Sequence, residues 1–427
     1  MGGVVTGVNP FFTCAELTNQ LKEANAKCII TVHQLAHRAK EAAKELVIDH
    51  VFVIGDDDDC DSASVLFEDD GSGYPVITFD TREDLAILPF SSGTGGLPKG
   101  AMLTHHNLVA LGCVVSAEGF LDYEQNSTIL AVIPFHRAFG MIAVLSLGLH
   151  QGSTLISMPR FDQTKLFHLL QDYKVTHLAT EASIVHLLSN HPAVDKFNLS
   201  SLIEVMSSAS SLGEETSRNV KKRLPQLRRI NQCYGMTENT AISHMTPSVD
   251  AKHGSVGMLL PNLECKVCDV STGQILGAGD RGEICVRGPT VMKGYFNNQD
   301  ASDQMIDHEH WLHTGDVGYY DKDEHFFIVD RLKDLIKFRG HQVSPLELES
   351  LLRAHPAIED AVVLGVPDPE VGELPMAYIV SKNEQDLTEM EVIQYVDENA
   401  APHKKAARRR GVYIFDSKIC EWRSPPS

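Results

Sequence analysis

The sequence has no apolar stretch that approaches the ~18 residues of a membrane-spanning helix. Its richest one, residues 141–149, is about half that length and is interrupted by Ser146 and Gly148. No basic segment precedes an apolar one near Met1, so the start does not resemble a secretory signal. These absences predict a protein without a membrane span or an export signal.

Positive charge and paired cysteines are also scarce. Lys and Arg total 37 against 57 Asp and Glu, which gives a formal net charge of -20. Nucleic-acid surfaces need clustered basic residues, and the one cluster, residues 404–410, is short, so we expect no nucleic-acid partner.

The pair Cys265 and Cys268 has no second pair to complete a zinc site, and the cysteines show no spacing that would indicate a disulfide framework. We expect reduced thiols in an intracellular compartment.

What the sequence does have is the composition and patterning of a soluble α/β protein. Its 427 residues, 43% apolar and 22% charged, exceed one ordinary core and predict two or more domains. Strand patterns at 129–135, 175–180 and 202–210 alternate with helical patterns at 164–173 and 182–190, as in βαβ units. The predicted fold class is α/β, with a large domain of stacked, mainly parallel sheets and helices on their faces.

The pattern then changes twice along the chain. From about Gly257, short strands separated by Gly and Asp turns predict a small β-rich subdomain, antiparallel or barrel-like. Further on, Ser344 has the features of a helix N-cap at the start of a smaller α+β domain. The predicted division is therefore a large domain at residues 1–331 and a small mobile domain at residues 332–427.

A loop rich in small residues follows the predicted buried strand at residues 85–90. It reads SSGTGGLPKG and covers residues 91–100. Glycines let backbone N–H groups point at an anion, hydroxyls donate further hydrogen bonds and Lys99 adds a charge, so the composition suits a polyphosphate. A Walker loop would need Ser or Thr directly after its lysine, and a dinucleotide fingerprint would need Gly in place of Pro98. The alternative is an ordinary glycine-rich turn.

Two further motifs occur downstream. Residues 234–238 read YGMTE, which combines an aromatic ring with Gly, Thr and Glu. Residues 311–349 read WLHTGDVGYYDKDEHFFIVDRLKDLIKFRGHQVSPLELE. Each motif alone has an ordinary explanation, as a strand-to-loop turn or as a charged hairpin and helix. That explanation does not account for their occurrence together with the loop.

Through these three motifs the chain resembles the adenylate-forming (AMP-binding) superfamily, which includes acyl-CoA synthetases, 4-coumarate-CoA ligases and beetle luciferases. The family loop is close to SSGTTGLPKG, so Gly95 stands where a Thr is usual. The resemblance implies that a set of residues binds ATP or AMP. They are Ser91, Ser92, Gly93, Thr94, Gly96, Lys99, Ser208, Ala209, Ser210, Tyr234, Gly235, Met236, Thr237, Asp316 and Arg331.

The resemblance also implies individual roles. Tyr234 would stack on adenine, Thr237 would hydrogen-bond the α-phosphate or the acyl-adenylate, and Asp316 would accept hydrogen bonds from the ribose hydroxyls. Glu238 would hold Mg²⁺ as a hard oxygen ligand. Lys333 would be the hinge about which the small domain rotates.

The remaining implied roles concern chemistry and the second substrate. Arg339 and Gly340 would line the coenzyme A channel. The implied catalytic residues are Thr94, Lys99, Thr237, Glu238, Lys337 and Gln342.

The acyl pocket is implied by residues 133–140, IPFHRAFG, which match the segment that closes the acid site in the family. The family usually has His at the position of Arg137, and His136 falls one place earlier. A cation at Arg137 would favour an acid with a second anionic group, whereas an Arg137 that points outward would not. The candidate acids range from medium-chain fatty acids to aromatic propenoates.

The reaction that the resemblance implies is the ATP-dependent ligation of a small-molecule carboxylic acid to coenzyme A through an acyl-adenylate, with Mg²⁺. The implied location is cytoplasmic or peroxisomal, although a peroxisomal SKL ending is not seen.

Two departures from the family pattern bear on this expectation. The family has on the order of 100 residues before the position that matches Met1, which predicts an incomplete large domain. The segment after Asp416 reads SKICEWRSPPS where the family has a GK lysine that orients the carboxylate and α-phosphate. Lys418 lacks that pattern, so we expect weakened adenylation. The alternatives are a truncated, largely inactive nucleotide-binding isoform and a luciferase-like oxygenase.

Overall fold

The computed structural model describes most of the chain. The described residues are 2–55, 60–68, 70–73, 76–91, 98–121, 123–158, 160–208, 212–338, 341–368, 372–382, 387–399 and 412–415. They divide into two compact units. The first comprises Met1–Lys266, Cys285–Thr314 and Tyr320–Phe327, and the second comprises Val267–Ile284, Gly315–Tyr319 and Ile328–Ser427.

The described residues form eleven α-helices and several short 3-10 or π segments. The α-helices are α1 (Cys14–Glu23), α2 (Ala36–Leu46), α3 (Val65–Glu68), α4 (His105–Val115), α5 (Leu147–His150), α6 (Gln163–Asp172), α7 (Ala182–Asn190), α8 (Glu214–Arg223), α9 (Gln299–Met305), α10 (Pro345–Arg353) and α11 (Glu389–Asn399). The others are His33–Leu35, Phe139–Ser146, Pro192–Lys196 and Thr237–Asn239. Within the described part of the chain, no helix combines the length and apolarity that crossing a membrane requires.

Twenty-three strands accompany them in the described residues. They are β1 (Cys28–Val32), β2 (His50–Ile54), β3 (Asp61–Ser62), β4 (Leu85–Ile87), β5 (Phe90–Ser91), β6 (Lys99–Gly100), β7 (Leu103–Thr104), β8 (Thr128–Ala131), β9 (Thr154–Ser157), β10 (His177–Glu181), β11 (Glu204–Ser208), β12 (Arg229–Tyr234), β13 (His244–Met245), β14 (Met258–Leu259), β15 (Glu264–Cys268), β16 (Gly282–Arg287), β17 (Leu312–Tyr320), β18 (Phe326–Arg331), β19 (Ile336–Phe338), β20 (His341–Val343), β21 (Ile358–Asp368), β22 (Gly372–Ser381) and β23 (Val412–Phe415).

The main sheet of the first unit has seven strands in the order β14-β13-β12-β11-β10-β8-β9. The five strands from β8 to β12 pair in parallel, and β13 and β14 continue the sheet antiparallel. The α/β class predicted from alternating strand and helix patterns is confirmed. Two predicted strands are shorter than expected: β8 ends at Ala131, and the run at 85–90 is split into β4 and β5 around Pro89. Proline has no N–H with which to continue a ladder.

Successive side chains of a strand point to opposite faces of the sheet. In the parallel strands β8, β10, β11 and β12 of the main sheet, the side chains on both faces are buried. On β8, Ile129 belongs to the core cluster that contains Leu111 of α4. The next residue, Leu130, belongs to the other cluster, with Leu166 of α6 and Val185 of α7. The strands are therefore apolar on both faces, and their ends are where polar side chains can gather.

The three-stranded parallel sheet β1-β2-β3 precedes the main sheet. Thr13 followed three residues later by Glu16 predicts a capping box at the start of α1, and this box is present. The short apolar run CIITV at residues 28–32 predicts a buried strand; it forms β1, but the strand is not buried on both faces, so the predicted burial is wrong. Ile29 is 8% exposed beneath the helices, whereas Ile30 is 61% exposed. The reason is that α1 and α2 cover only one face of the sheet among the described residues.

The second unit contains a sheet in the order β20-β19-β22-β21, with β23 paired to β22. Its core includes Leu348 of α10 and Val392 of α11. Ser344 caps α10 as predicted, since its hydroxyl accepts the Glu347 N–H at 3.1 Å. The Glu347 side chain pairs with Arg281 at 2.5 Å. Strands β15 to β18 form a four-stranded sheet in chain order, in the region predicted to be β-rich.

Candidate active site

The carboxyl ends of the parallel strands carry a series of polar residues. Glu181 is the last residue of β10 and lies in register with Ser208, the last residue of β11. Tyr234 is the last residue of β12, the next strand along. In open α/β sheets, ligands bind outside this edge, so the predicted residues Ser208 and Tyr234 occupy the expected side of the sheet.

The YGMTE segment leaves β12 in a tight turn. A Cβ on Gly235 would lie 2.3 Å from the backbone oxygen of Ala241, so only glycine fits this approach of two backbone segments. The turn is closed by Asn239, whose side-chain oxygen accepts the Met236 N–H at 2.9 Å. The Ser243 N–H donates to the Tyr234 oxygen at 2.9 Å as the chain returns. This geometry fixes the direction in which Thr237 and Glu238 leave the sheet.

Glu238 is the centre of a buried polar cluster. Its residue is 2% exposed, and its Oε1 accepts the Ser91 hydroxyl at 2.5 Å. The Tyr295 hydroxyl donates to the same oxygen at 2.7 Å. Two donors on one oxygen hold the carboxylate in a single orientation. The predicted residues Ser91 and Glu238, which are 147 positions apart in the chain, are therefore brought together.

Tyr295 belongs to this cluster although no motif pointed to it. Burial, followed by the charge of Glu238 and the hydrogen bond to it, raises the pKa of Tyr295 above its usual range. The phenol therefore keeps its proton and remains a donor to Glu238. In the sequence, Tyr295 lies in the segment GYFN. This segment looks like any other in which a buried aromatic residue lies beside a turn, so it does not indicate a site.

Lys99 reaches the same cluster from the glycine-rich loop. It lies on β6, directly opposite Ser91 of β5, and its Nζ is 5.2 Å from the centre of the Tyr295 ring. A lysine ammonium above an aromatic ring is stabilised by roughly 0.5–1 kcal/mol. Ser91, Lys99, Glu238 and Tyr295 thus form a cluster that contains one cation, one carboxylate and two hydroxyls. We call it the Glu238 cluster.

Several predicted residues of the nucleotide site and the coenzyme A channel lie outside the described residues. They are Ser92, Gly93, Thr94, Gly96, Ala209, Ser210, Arg339 and Gly340.

The second unit contains the predicted residues Asp316, Arg331, Lys333, Lys337 and Gln342. Asp316 is 8% exposed and pairs with Arg331, with 3.4 Å between Oδ1 and Nε. Lys333 is exposed in the turn after β18. Lys337 and Gln342 are opposite each other on β19 and β20. The structure thus brings Asp316 and Arg331 together, and Lys337 and Gln342 together at the backbone level.

His136 and Arg137 follow β8. Burial, followed by the charge of Arg137, lowers the pKa of His136. The Arg137 Nη1 donates to Glu181 Oε1 at 2.9 Å. No motif identifies Glu181, because nothing in the helix and strand pattern distinguishes it from a solvated residue at a strand end.

Removal of the Tyr295 hydroxyl should lower activity without unfolding the chain. Tyr295→Phe keeps the ring beside Lys99 and leaves Glu238 Oε1 with the Ser91 donor alone. We expect acid-dependent exchange of pyrophosphate into ATP, the partial reaction that the resemblance implies, to fall about ten- to a hundredfold, since a lost hydrogen bond to a charged group costs ~1.5–3 kcal/mol. The Mg²⁺ concentration for half-maximal exchange should rise as well. Tyr173→Phe, at a residue that is 57% exposed, is the matched control. A Tyr295→Phe rate and Mg²⁺ requirement equal to those of Tyr173→Phe would show that the hydroxyl does not position Glu238.

Any side chain at Gly235 should disrupt the turn. Gly235→Ala places a Cβ against the Ala241 backbone, which cannot move as a flexible side chain would. We expect the free energy of unfolding to fall by ~2–3 kcal/mol in urea denaturation, as for overpacking of a rigid site. Gly213→Ala is the control, because its Cβ would meet nothing closer than Thr216 Oγ1 at 4.0 Å. Equal stabilities of the two variants would contradict this description of the turn.

The fold and the cluster first define a class: an α/β protein with a buried carboxylate, a lysine and hydroxyls at the ligand-binding edge of a parallel sheet. The comparison with protein families narrows this class. Residues 1–296 match the AMP-binding enzyme family, and residues 347–418 match the AMP-binding enzyme C-terminal domain. The chain belongs to this adenylate-forming, ATP-binding family of acid-CoA ligases, which confirms the resemblance seen in the motifs.

Individual relatives and solved structures agree with this assignment. The chain is 39% identical over 424 residues to 4-coumarate-CoA ligase 2 of Petroselinum crispum, covering 97% of this chain and 77% of that protein. It is 38% identical over 428 residues to luciferin 4-monooxygenase of Luciola mingrelica, covering 97% of this chain and 77% of that protein. The ATP-bound crystal structure of MatB from Rhodopseudomonas palustris superposes with a TM-score of 0.87 at 26% identity, covering 97% of this chain and 80% of that one.

Proposed function

We propose that this protein is an acid-thiol ligase that converts a carboxylic acid, ATP and coenzyme A into an acyl-CoA, AMP and pyrophosphate through an acyl-adenylate. The Glu238 cluster carries the proposal. A buried carboxylate held by Ser91 and Tyr295, with Lys99 beside it, is suited to bind and polarise a triphosphate at the edge of the sheet. The identity to 4-coumarate-CoA ligases supports the thioester as product.

In the first proposed step, a carboxylate oxygen of the acid attacks the α-phosphorus of ATP. The bond from that phosphorus to the bridging oxygen breaks, and pyrophosphate leaves with the bonding electrons. Lys99, Thr94 and the backbone N–H groups of the loop would neutralise the charge that develops on the phosphates, while Thr237 would donate to the α-phosphate. Binding in fixed positions supplies much of the remaining advantage.

The residues present fit a magnesium ion. Mg²⁺ prefers carboxylate oxygens beside substrate phosphates, and Glu238 offers a buried carboxylate whose orientation two hydroxyls hold. Glu238 would be its protein ligand. The ion, when bound, neutralises phosphate charge and stabilises the departing pyrophosphate.

In the second proposed step, the thiol of coenzyme A attacks the carbonyl carbon of the acyl-adenylate, loses its proton, and displaces AMP. The small domain, residues 332–427, would rotate at Lys333 between the two steps. Lys337 and Gln342 would face the nucleotide during adenylation, and Arg339 and Gly340 would line the thiol's channel afterwards. Tyr234, Asp316 and Arg331 would hold the adenosine throughout.

The two half-reactions provide the test of this proposal. Exchange of labelled pyrophosphate into ATP is measured with a panel of acids from medium-chain fatty acids to aromatic propenoates. Thioester formation is measured separately with preformed acyl-adenylate and coenzyme A. The proposal expects acid-dependent exchange and thioester formation, the exchange being slow because SKICEWRSPPS lacks the family's GK lysine. Absence of both reactions would support the inactive-isoform alternative, and O₂-dependent light emission from a luciferyl-adenylate would support the oxygenase.

A further inference from the structure

An ion pair lies where the strand order of the main sheet reverses. From β8 the chain passes to β9 on one side, and β10, β11 and β12 then follow on the other side. The crevice at such a reversal is where α/β sheets bind their ligands. Arg137 follows β8 and Glu181 ends β10, so the Arg137–Glu181 pair, at 2.9 Å, spans this crevice.

The pair is accessible to a ligand. The side chain of Arg137 is 56% exposed and that of Glu181 is 40% exposed. Between Glu181 and the end of β12 lies only β11, whose last residue Ser208 is in register with Glu181. With strands ~4.8 Å apart, the end of β10 is roughly 10 Å from the end of β12, where the turn to Glu238 begins. An acid that reacts beside the Glu238 cluster would therefore meet the ion pair with the far end of its tail.

We infer that the Arg137–Glu181 pair makes the protein select carboxylic acids whose tail carries no second negative charge. This inference rests on the proposed function and specifies its substrate class. An unpaired Arg137 would attract a second carboxylate on the tail. In this chain Glu181 already satisfies the guanidinium, and its own carboxylate repels a second anion at the same place. Of the two alternatives for Arg137, the inference therefore favours the one in which this side chain does not attract a second anionic group.

The direct test uses two unreactive analogues of an acyl-adenylate, acyl sulfamates of adenosine that differ only at the end of an aromatic propenoyl tail. One tail ends in a carboxamide and the other in a carboxylate of nearly the same shape. Binding to the full chain is measured by calorimetry. We expect the wild type to bind the carboxamide analogue about two- to fivefold more tightly, the size expected of one solvent-exposed charge contact.

Two variants separate the charges of the pair. Glu181→Gln leaves Arg137 unpaired, so the carboxylate analogue should gain about two- to fivefold in affinity while the carboxamide analogue changes little. Adding Arg137→Gln to that variant should remove the gain. Glu214→Gln, which removes the partner of Arg218 on α8, is the matched control and should leave both affinities unchanged.

The outcomes are distinguishable from a failure of the proposed function. A ratio of the two affinities that stays the same in Glu181→Gln overturns the inference, as does a wild type that binds ATP but neither analogue. A wild type that does not bind ATP overturns the proposed function and this inference together.

Discussion

Glu238→Gln is expected to reduce acid-dependent exchange of pyrophosphate into ATP by about a hundred- to a thousandfold, the range found when one electrostatic contact to a transition state is removed. The amide keeps the shape of the side chain and an oxygen that can accept from Ser91 and Tyr295. It removes the negative charge that would bind Mg²⁺. The loss should therefore appear in catalysis and Mg²⁺ dependence rather than in folding.

The matched control for this variant is Glu264→Gln. Glu264 is exposed and pairs with Arg287 at 2.6 Å away from the cluster, so its neutralisation should leave exchange unchanged. Urea denaturation of both variants establishes that each is folded. A Glu238→Gln protein that exchanges pyrophosphate within threefold of the control, with the same Mg²⁺ requirement, is incompatible with the role given to Glu238.

Arg229→Met is expected to lower the free energy of unfolding by ~3–5 kcal/mol, because it leaves a buried carboxylate without its cation. Arg229 Nε and Glu204 Oε2 are 2.6 Å apart, and the two side chains are only 6% and 4% exposed. They lie in one row with His177, across three neighbouring parallel strands. Urea denaturation followed by circular dichroism measures the effect.

The matched control for this stability prediction is Arg218→Met. Arg218 pairs with Glu214 on the surface of α8, where the side chains are 67% and 55% exposed. Such a pair contributes ~0.5 kcal/mol or less. Equal losses of stability in the two variants would mean that burial does not determine the contribution of the Glu204–Arg229 pair.

Local patterns predicted the elements of the fold well and their burial less well. Apolar strand patterns that alternate with helical patterns suffice to identify an α/β sheet. The helices cover both faces of such a sheet, so each strand must have apolar residues on both faces. The same pattern cannot show that Ile30 of β1 faces away from the helices, since burial depends on what covers the sheet. Pro89 lies at the break between β4 and β5, but the apolar run at residues 85–90 predicts one continuous strand.

The candidate site shows a similar division. Ser91, Lys99 and Glu238 belong to the motifs that carry the resemblance to the adenylate-forming superfamily, and that resemblance predicts them as site residues before their contacts are known. Tyr295 and Glu181 belong to no motif. Tyr295 is positioned by a contact across 57 residues, and Glu181 by one across 44 residues. Only the folded chain brings such residues together, because neither has a local pattern that requires it.

The most direct test of the account follows one oxygen atom. An aromatic propenoic acid labelled with ¹⁸O in both carboxylate oxygens is incubated with the protein, ATP, Mg²⁺ and coenzyme A, and AMP is analysed by mass spectrometry. The oxygen that attacks the α-phosphorus remains on phosphorus when the thiol displaces AMP at carbon. We therefore predict AMP with one ¹⁸O atom for each thioester formed. Unlabelled AMP, or ADP together with labelled phosphate, would contradict the acyl-adenylate mechanism.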